Sequence, residues 1–201
     1  MWSEENGVWF DYDRVTNRHV ACYYDTNFFP LFTGCAHEGF DGNKTAEYLD
    51  KAGVLSFPGG LPSSLVSSGQ QWDFPNAWAP TTWVVIQGLR AVGQDLLAQK
   101  IAEKWIKKNY NMWKSSGGRM FEKYNVESQC FKAMGGGGEY EMQEGFGWTN
   151  GVILDLLLTY SDRLSSTTAN TCHANCECQT PTQTGSTVDA QSVCEDHPDN
   201  T

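Results

Sequence analysis

The ten-residue stretch QWDFPNAWAP, residues 71–80, constrains this chain more than any other part of its sequence. It combines two tryptophans with two prolines, and a proline at its end suits the first turn of a following helix. Trp72 and Trp78 offer flat apolar faces with one N–H each, while Asp73 and Asn76 offer hydrogen bonds. These groups match the apolar face and the hydroxyls of a sugar ring. The stretch therefore predicts either a sugar-binding loop or a tryptophan-rich turn that fills a core.

Helical periodicity appears on both sides of this stretch. Apolar residues recur three and four positions apart, which is the spacing of a helix with one buried face. One expected helix begins near Pro30. Four more cover residues 42–52, 78–92, 95–109 and 144–163. The connection between segments 78–92 and 95–109 is short, so we expect these two helices to pack antiparallel. Three lysines, Lys104, Lys107 and Lys108, are expected to complement the dipole at the end of segment 95–109.

Two long segments lack any period and are rich in glycine, at residues 54–75 and 118–143. Loops of that length in a compact domain are usually functional or disordered, and the tryptophans favour function here. Residues 2–13 predict an extended or hairpin segment, because Asn6-Gly7 is a turn signal.

The chain is expected to divide into a globular part and a tail. Residues 1–164 carry the helical periodicity, whereas residues 165–201 are polar, lack a period and predict a disordered or disulfide-tied tail. Four of the seven cysteines fall in this tail, at Cys172, Cys176, Cys178 and Cys194. Their spacing is not that of a paired zinc motif, so disulfides of a secreted protein are the favoured interpretation.

Composition narrows the class of ligand. Aromatic residues make up 13% of the chain and the formal net charge is −10. An aromatic excess without a basic excess favours carbohydrate, and the acidic balance argues against nucleic acid. The sequence has no apolar run long enough for a membrane span, and no signal peptide is visible at Met1.

Five carboxylates on the aromatic or glycine-rich loops are candidates for chemistry: Asp73, Glu122, Glu139, Glu141 and Glu144. Judged by its surroundings alone, Glu122 in MFEKYN is an ordinary surface residue. Glu139 follows four glycines, which describes either a mobile linker or a backbone that approaches a ligand closely. Spacing along the chain does not decide between these interpretations.

Several motifs together resemble the trehalase family of inverting glycoside hydrolases. They are PGGLPSS at 58–64, GQQWDFPNAWAP at 69–80, EKY at 122–124 and GGGGEYEMQEGFGWTNGV at 135–152. They occur in the family's order and cover about residues 1–163. The resemblance implies an all-α fold, the C-terminal part of an (α/α)6 toroid with long glycine-, proline- and aromatic-rich active-site loops. It also implies hydrolysis of α,α-trehalose to two glucose molecules, with trehalose or glucose as the ligand and neither cofactor nor metal.

The resemblance assigns roles at matching positions. The Glu of the Glu-Lys-Tyr motif is the family's general base, which points to Glu122, and the Glu after the glycine run binds substrate, which points to Glu139. Trp72, Asp73, Asn76 and Trp78 are then expected to bind substrate or to organise the loop around it. Gln143, Phe146 and Trp148 are expected to shape the surroundings of the base.

One departure from the family stands out. Its general acid is an Asp in a Trp-Asp-x-Ser-x-Arg stretch upstream of these motifs, and the 201 residues contain no such stretch. We therefore expect a fragment of a longer protein, secreted or extracellular, that is weakly active or inactive alone. The alternative is a non-catalytic carbohydrate-binding or regulatory fragment of a trehalase. A scaffold of helix pairs for protein partners is a third option, with no repeat to support it.

An incomplete toroid has a consequence for the surface of the chain. A ring of helices buries its inner faces only when it closes on itself. We therefore expect apolar helix faces, such as those at Trp83 and Ile86 or at Leu156 and Leu157, to be exposed, and such faces favour aggregation or partner binding.

Overall fold

Five α-helices form most of the regular structure in the computed structural model, which describes residues 1–129, 135–138 and 141–164. The helices are α1 (Phe29–Phe32), α2 (Gly42–Lys51), α3 (Ala79–Ala91), α4 (Asp95–Ser115) and α5 (Gly147–Thr159). The strands are β1 (Trp2–Ser3), β2 (Val8–Trp9), β3 (Asp11–Asp13), β4 (Arg18–Val20), β5 (Asn76–Trp78) and β6 (Lys123–Asn125). The expected tail, residues 165–201, and its cysteines lie outside the described residues.

The core lies where α3 packs against α1, α4 and α5. Ile86 and Leu89 of α3 are completely buried there, together with Phe28, Leu49 and Trp105 from the surrounding elements. Helix α3 begins as predicted, with a proline in its first turn. Its apolar side chains hold the loop before it and the helix after it on one common core.

Helix α2 confirms the predicted helix over residues 42–52 in position and length. The Asp41 side chain caps it by accepting a hydrogen bond from the Asn43 amide at 2.9 Å. The helix stops where Gly53 adopts the left-handed conformation, with φ of 71°. Tyr48 and Leu49 supply its buried face.

Three helix predictions need correction. The helix expected over residues 144–163 is shorter at both ends, since α5 covers only Gly147–Thr159. The helix expected from Pro30 is only the single turn of α1, preceded by a 3-10 turn at Asp25–Phe28. Helix α4 runs to Ser115, past the predicted end at residue 109, because the buried Met112 continues its apolar face.

The longer α4 overturns the expected role of its lysines. They lie in mid-helix, so they cannot complement the dipole at its end. Lys108 is completely buried and donates to the Ser128 carbonyl at 2.6 Å, and Lys104 donates to the Leu55 carbonyl. At least two of the three lysines therefore tie α4 to neighbouring loops.

Three two-stranded antiparallel sheets complete the fold in the part of the chain that the structure describes. The predicted hairpin at residues 2–13 is present as β1 paired with β2, with Trp2 opposite Trp9. The pairing of β3 with β4 was not predicted, and neither was that of β5 with β6. Strands β5 and β6 are distant in sequence, so this third sheet joins the two loop segments that carry the motifs.

Helix α5 buries only one side. Leu156 and Tyr160 are buried, whereas Leu154, Leu157 and Leu158 are 61%, 42% and 70% exposed. This leaves an apolar stripe on the outer side of α5. Across the described ranges, no helix combines the length and the apolar composition that crossing a lipid bilayer requires.

Candidate active site

The QWDFPNAWAP stretch folds as a loop that leads through β5 into α3, with a cis peptide bond between Phe74 and Pro75. Strand β5 pairs antiparallel with β6, so that Asn76, Ala77 and Trp78 face Asn125, Tyr124 and Lys123 in turn. The strand of the EKY motif therefore lies directly against the strand of the tryptophan motif. The sequence points to a role for both motifs in a site, but it does not predict that their strands pair.

Glu122 precedes β6 and is only 2% exposed. Its backbone is held on both sides by residues of the GGGGEYEMQEGFGWTNGV motif, residues 135–152. Its N–H donates to the Gln143 carbonyl at 3.0 Å, and its carbonyl accepts from the Trp148 indole at 3.3 Å. Residues of this motif therefore flank Glu122, and the pairing of β5 with β6 brings the tryptophan motif to the same region.

Four aromatic rings form a continuous array beside Glu122. Trp72 and Trp78 are stacked with ring centroids 4.1 Å apart, and Trp148 meets Trp78 edge-on at 5.8 Å. Phe146 packs on Trp148 at 4.5 Å. Trp78 is 1% exposed, whereas Trp72 is 40% exposed. Trp72 is therefore the ring of this pair that presents surface to a ligand, and Trp78 supports it from behind.

Asp73 and Asn76 are buried and hold loops in place. The Asp73 carboxylate accepts from the backbone N–H of Ser68 and, at 3.0 Å, from that of Gln70. The Asn76 amide donates to the Gly136 carbonyl at 2.7 Å and accepts from the Gly136 N–H at 3.0 Å. Of the two roles expected for these residues, the structure shows the loop-organising contacts.

The glycine run, residues 135–138, packs closely on the tryptophan motif, residues 71–80. Gly138 is so near Gln71 that a Cβ on it would lie 2.5 Å from the Gln71 Cβ. Gly137 has φ of 76° and Gly138 has φ of 92°, which favour glycine over other residues. The close approach and the backbone conformation both explain why this segment is glycine. They argue against the interpretation of a mobile linker.

Lys123 is a residue of the site that sequence reasoning passed over. It is 1% exposed, and its ammonium lies 5.2 Å from the centroid of the Trp78 ring and 2.9 Å from the Gly137 carbonyl. Burial lowers the pKa of Lys123, and the nearby charge of Glu122 opposes that shift. The signal available in the sequence was its place inside the EKY motif.

A cavity of about 380 Å³ opens beside these groups. It is lined by Lys123, Gly135, Gly136, Gly137, Gly138, Glu141 and Met142. Its size is within the range of small-ligand sites, and its lining offers backbone amides, one ammonium and one carboxylate. Such a lining suits hydroxyl groups.

The other candidate carboxylates are distributed differently. Glu144 is exposed and forms a surface ion pair with Arg119 at 2.8 Å. Glu141 lies on the cavity wall. Glu139, expected to bind substrate, lies outside the described residues. In the part of the site that the structure describes, Glu122 is the deeply buried candidate among the glutamates on the aromatic and glycine-rich loops.

Comparisons with known proteins identify the family of this chain. The family model described as trehalase matches residues 1–161. The chain is 44% identical to a trehalase of Oryctolagus cuniculus over 171 residues, which cover 84% of this chain and 29% of that relative. The chain thus spans less than a third of the length of this relative.

Solved structures share the fold. The neutral trehalase of Saccharomyces cerevisiae superposes with a TM-score of 0.60 at 25% identity, over 79% of this chain and 27% of that one. A GH63 mannosylglycerate hydrolase from Thermus thermophilus, in complex with glucose, gives a TM-score of 0.53 at 26% identity, over 79% of this chain and 36% of that one. These neighbours confirm the predicted fold class, a mostly helical part of an (α/α)6 toroid.

Proposed function

The chain belongs to the trehalase family, and we propose that its loops form part of an active site that hydrolyses α,α-trehalose to two glucose molecules. Membership makes it a glycoside hydrolase by family. The observation that carries the proposal is the pairing of β5 with β6, because it puts Glu122 next to the tryptophan motif and the glycine run. A carboxylate beside an aromatic surface and a polar cavity suits the hydrolysis of a sugar.

Glu122 is proposed as the general base of an inverting reaction. Its carboxylate takes a proton from a water molecule, whose oxygen attacks the anomeric carbon as the bond to the leaving glucose oxygen breaks. A second carboxyl group, about 6.5–9.5 Å away in such enzymes, protonates that leaving oxygen. The family's stretch for this acid has no match in the 201 residues. We therefore assign the acid to residues outside this chain.

The substrate contacts are proposed from the exposure of each side chain and from the position of each residue in the family's motifs. Trp72 is proposed as the aromatic platform for a glucose ring, because it is the exposed member of the stacked pair. Asp73, Asn76 and Trp78 are proposed to hold that platform and its loop. Glu139 is proposed to bind sugar hydroxyls, as its family counterpart does. The glucose complex of the GH63 neighbour supports a sugar as the ligand.

The protein is also proposed to be extracellular or secreted. Cys22 is disulfide-bonded, and disulfides persist in oxidising compartments. Labelling of free thiols before and after reduction in protein from its natural source tests this. A Cys22 thiol that reacts without reduction would contradict it.

The base assignment is tested by Glu122→Gln in a full-length protein that carries these residues. We expect kcat for trehalose to fall by roughly 10²–10⁴-fold, the usual contribution of general base catalysis, with trehalose binding retained. Glu127→Gln is the matched control, since Glu127 is exposed and close by in the chain. Glucose release and calorimetric titration with trehalose measure the two effects. Near-normal turnover of the Glu122→Gln protein would show that the base lies elsewhere.

A further inference from the structure

Two side chains from different strands hold the glycine run from one side. The Asn76 amide makes a reciprocal pair of hydrogen bonds with the backbone of Gly136, at 2.7 and 3.0 Å. The Lys123 ammonium donates to the next carbonyl, that of Gly137, at 2.9 Å. These hydrogen bonds therefore fix two consecutive residues of the run. The side chains that make them come from β5 and β6, not from the loop itself.

Close packing makes this attachment specific to glycine. A Cβ on Gly135 would lie 2.8 Å from the Lys123 Cγ and 3.0 Å from the Asn76 Oδ1. The run thus lies directly on the two side chains that bind it. Loss of either side chain would remove both a hydrogen bond and a packing surface, and the run would be free to shift.

The same lysine is tied to the proposed base. Lys123 follows Glu122 directly in the chain, and it faces Trp78 across the β5–β6 pair. Any movement of the glycine run relative to Lys123 is therefore a movement relative to Glu122. The glycine run forms part of the wall of the cavity of about 380 Å³, and Lys123 belongs to the strand that follows Glu122. Lys123 therefore connects the cavity wall to the proposed base.

We propose that Lys123 and Asn76 are positioning residues that set the place of the glycine run, and so the width of the sugar-binding cavity, relative to the base. This inference rests on the proposed function. A buried ammonium is costly unless it is paired, and here the Gly137 carbonyl and the Trp78 ring compensate it. A lysine can reach both partners at once because its donor is at the end of a long flexible stem.

The test replaces the ammonium while keeping an apolar stem of similar length. Lys123→Met in the full-length enzyme is expected to raise KM for trehalose by roughly 10- to 100-fold, the loss expected for one charge-assisted hydrogen bond, with a smaller fall in kcat. Lys104→Met is the matched control. Like Lys123, Lys104 donates to a backbone carbonyl, but it is only partly buried and it holds α4 to the Leu55 loop. It is expected to leave KM and kcat unchanged.

A second variant covers the case in which Lys123→Met does not fold. Asn76→Asp keeps the shape and the acceptor for the Gly136 N–H but removes the donor to the Gly136 carbonyl. It is expected to raise KM in the same way. Hydrogen exchange of the peptide that contains residues 135–138 provides a readout without substrate. Both variants should speed its exchange, whereas Lys104→Met should not.

The outcomes separate this inference from the proposed function. If the wild-type protein does not hydrolyse trehalose, the proposed function fails, and exchange in residues 135–138 alone decides whether Lys123 and Asn76 hold the run. If the wild type is active, an unchanged KM in both variants overturns the positioning role. Unchanged exchange in both variants also overturns it.

Discussion

One buried carboxyl group makes the stability of this fold depend on pH. Asp25 lies in the 3-10 turn before α1 and is 4% exposed. Burial raises its pKa to about 7, although the nearby polar groups of Thr81, Ser63 and the Thr26 backbone favour the charged form. The folded protein therefore retains a proton that the unfolded chain releases at about pH 4.

The sign of the effect follows from that difference. Between about pH 4 and pH 7 the folded state holds more protons than the unfolded state, so stability falls as pH rises through this range. Above about pH 7 the loss is complete. We expect Asp25→Asn to remove this fall and to gain up to about 4 kcal/mol at about pH 8, from roughly 1.4 kcal/mol per pKa unit. Urea unfolding at about pH 5 and about pH 8 measures both effects.

Asp50→Asn is the control for this prediction, because Asp50 is an exposed residue near the end of α2. Its unfolding midpoint should change with pH as that of the wild type does. If Asp25→Asn kept the full pH dependence, the Asp25 carboxyl would not be its source.

At the scale of elements, a helical glycine decides how closely α1 approaches α3. A Cβ on Gly88 would lie 2.9 Å from the Leu31 Cβ and 3.1 Å from the Phe32 backbone nitrogen. Gly151 in α5 has open space around it. The two positions are both helical, so they separate the effect of packing from that of helix propensity.

We therefore expect opposite results from the same substitution in this chain. Gly88→Ala should destabilise it by about 1–3 kcal/mol, because the core at that point is already filled. Gly151→Ala should stabilise it by about 0.5–1 kcal/mol, because alanine is the better helix former. Thermal unfolding of both variants checks this. Equal shifts of one sign would mean that the α1–α3 contact is looser than the structure has it.

At the scale of the whole molecule, the chain is a part of the architecture that its relatives share. The match to the Oryctolagus cuniculus trehalase takes in 84% of this chain but only 29% of that relative. The expectation that an incomplete toroid exposes apolar helix faces is wrong for Ile86 and Leu156, which are buried, because α3 and α5 pack on each other within this part. It is right for Leu157, which is exposed together with Leu154 and Leu158.

Residues 1–201 alone are expected to release glucose from trehalose at least about 10²-fold more slowly than a full-length relative, because a base without its partner acid leaves the departing oxygen unprotonated. Expression in a host without trehalase, followed by a glucose assay, measures this. The Glu122→Gln chain serves as the background control. Turnover near about 10 s⁻¹, a typical enzyme value, would show that a second acid lies within these residues.

The sequence alone determined the features that depend on neighbours along the chain. The 3.6-residue period placed α2, α3 and most of α4, because each turn of a helix buries the same side. Gly53 and the proline that opens α3 marked helix ends through backbone geometry that is local to them. The family's motifs could be recognised for the same reason, since each is a continuous string.

Only the tertiary structure decided which of those strings meet. The pairing of β5 with β6 joins residues that are far apart in the chain, and a local pattern does not specify which distant segment a strand pairs with. That pairing brings Lys123 to the glycine run, and the packing around it buries Trp78 while leaving Trp72 exposed. The roles of these residues depend on contacts made across the fold, and such contacts exist only once the separate segments pack together.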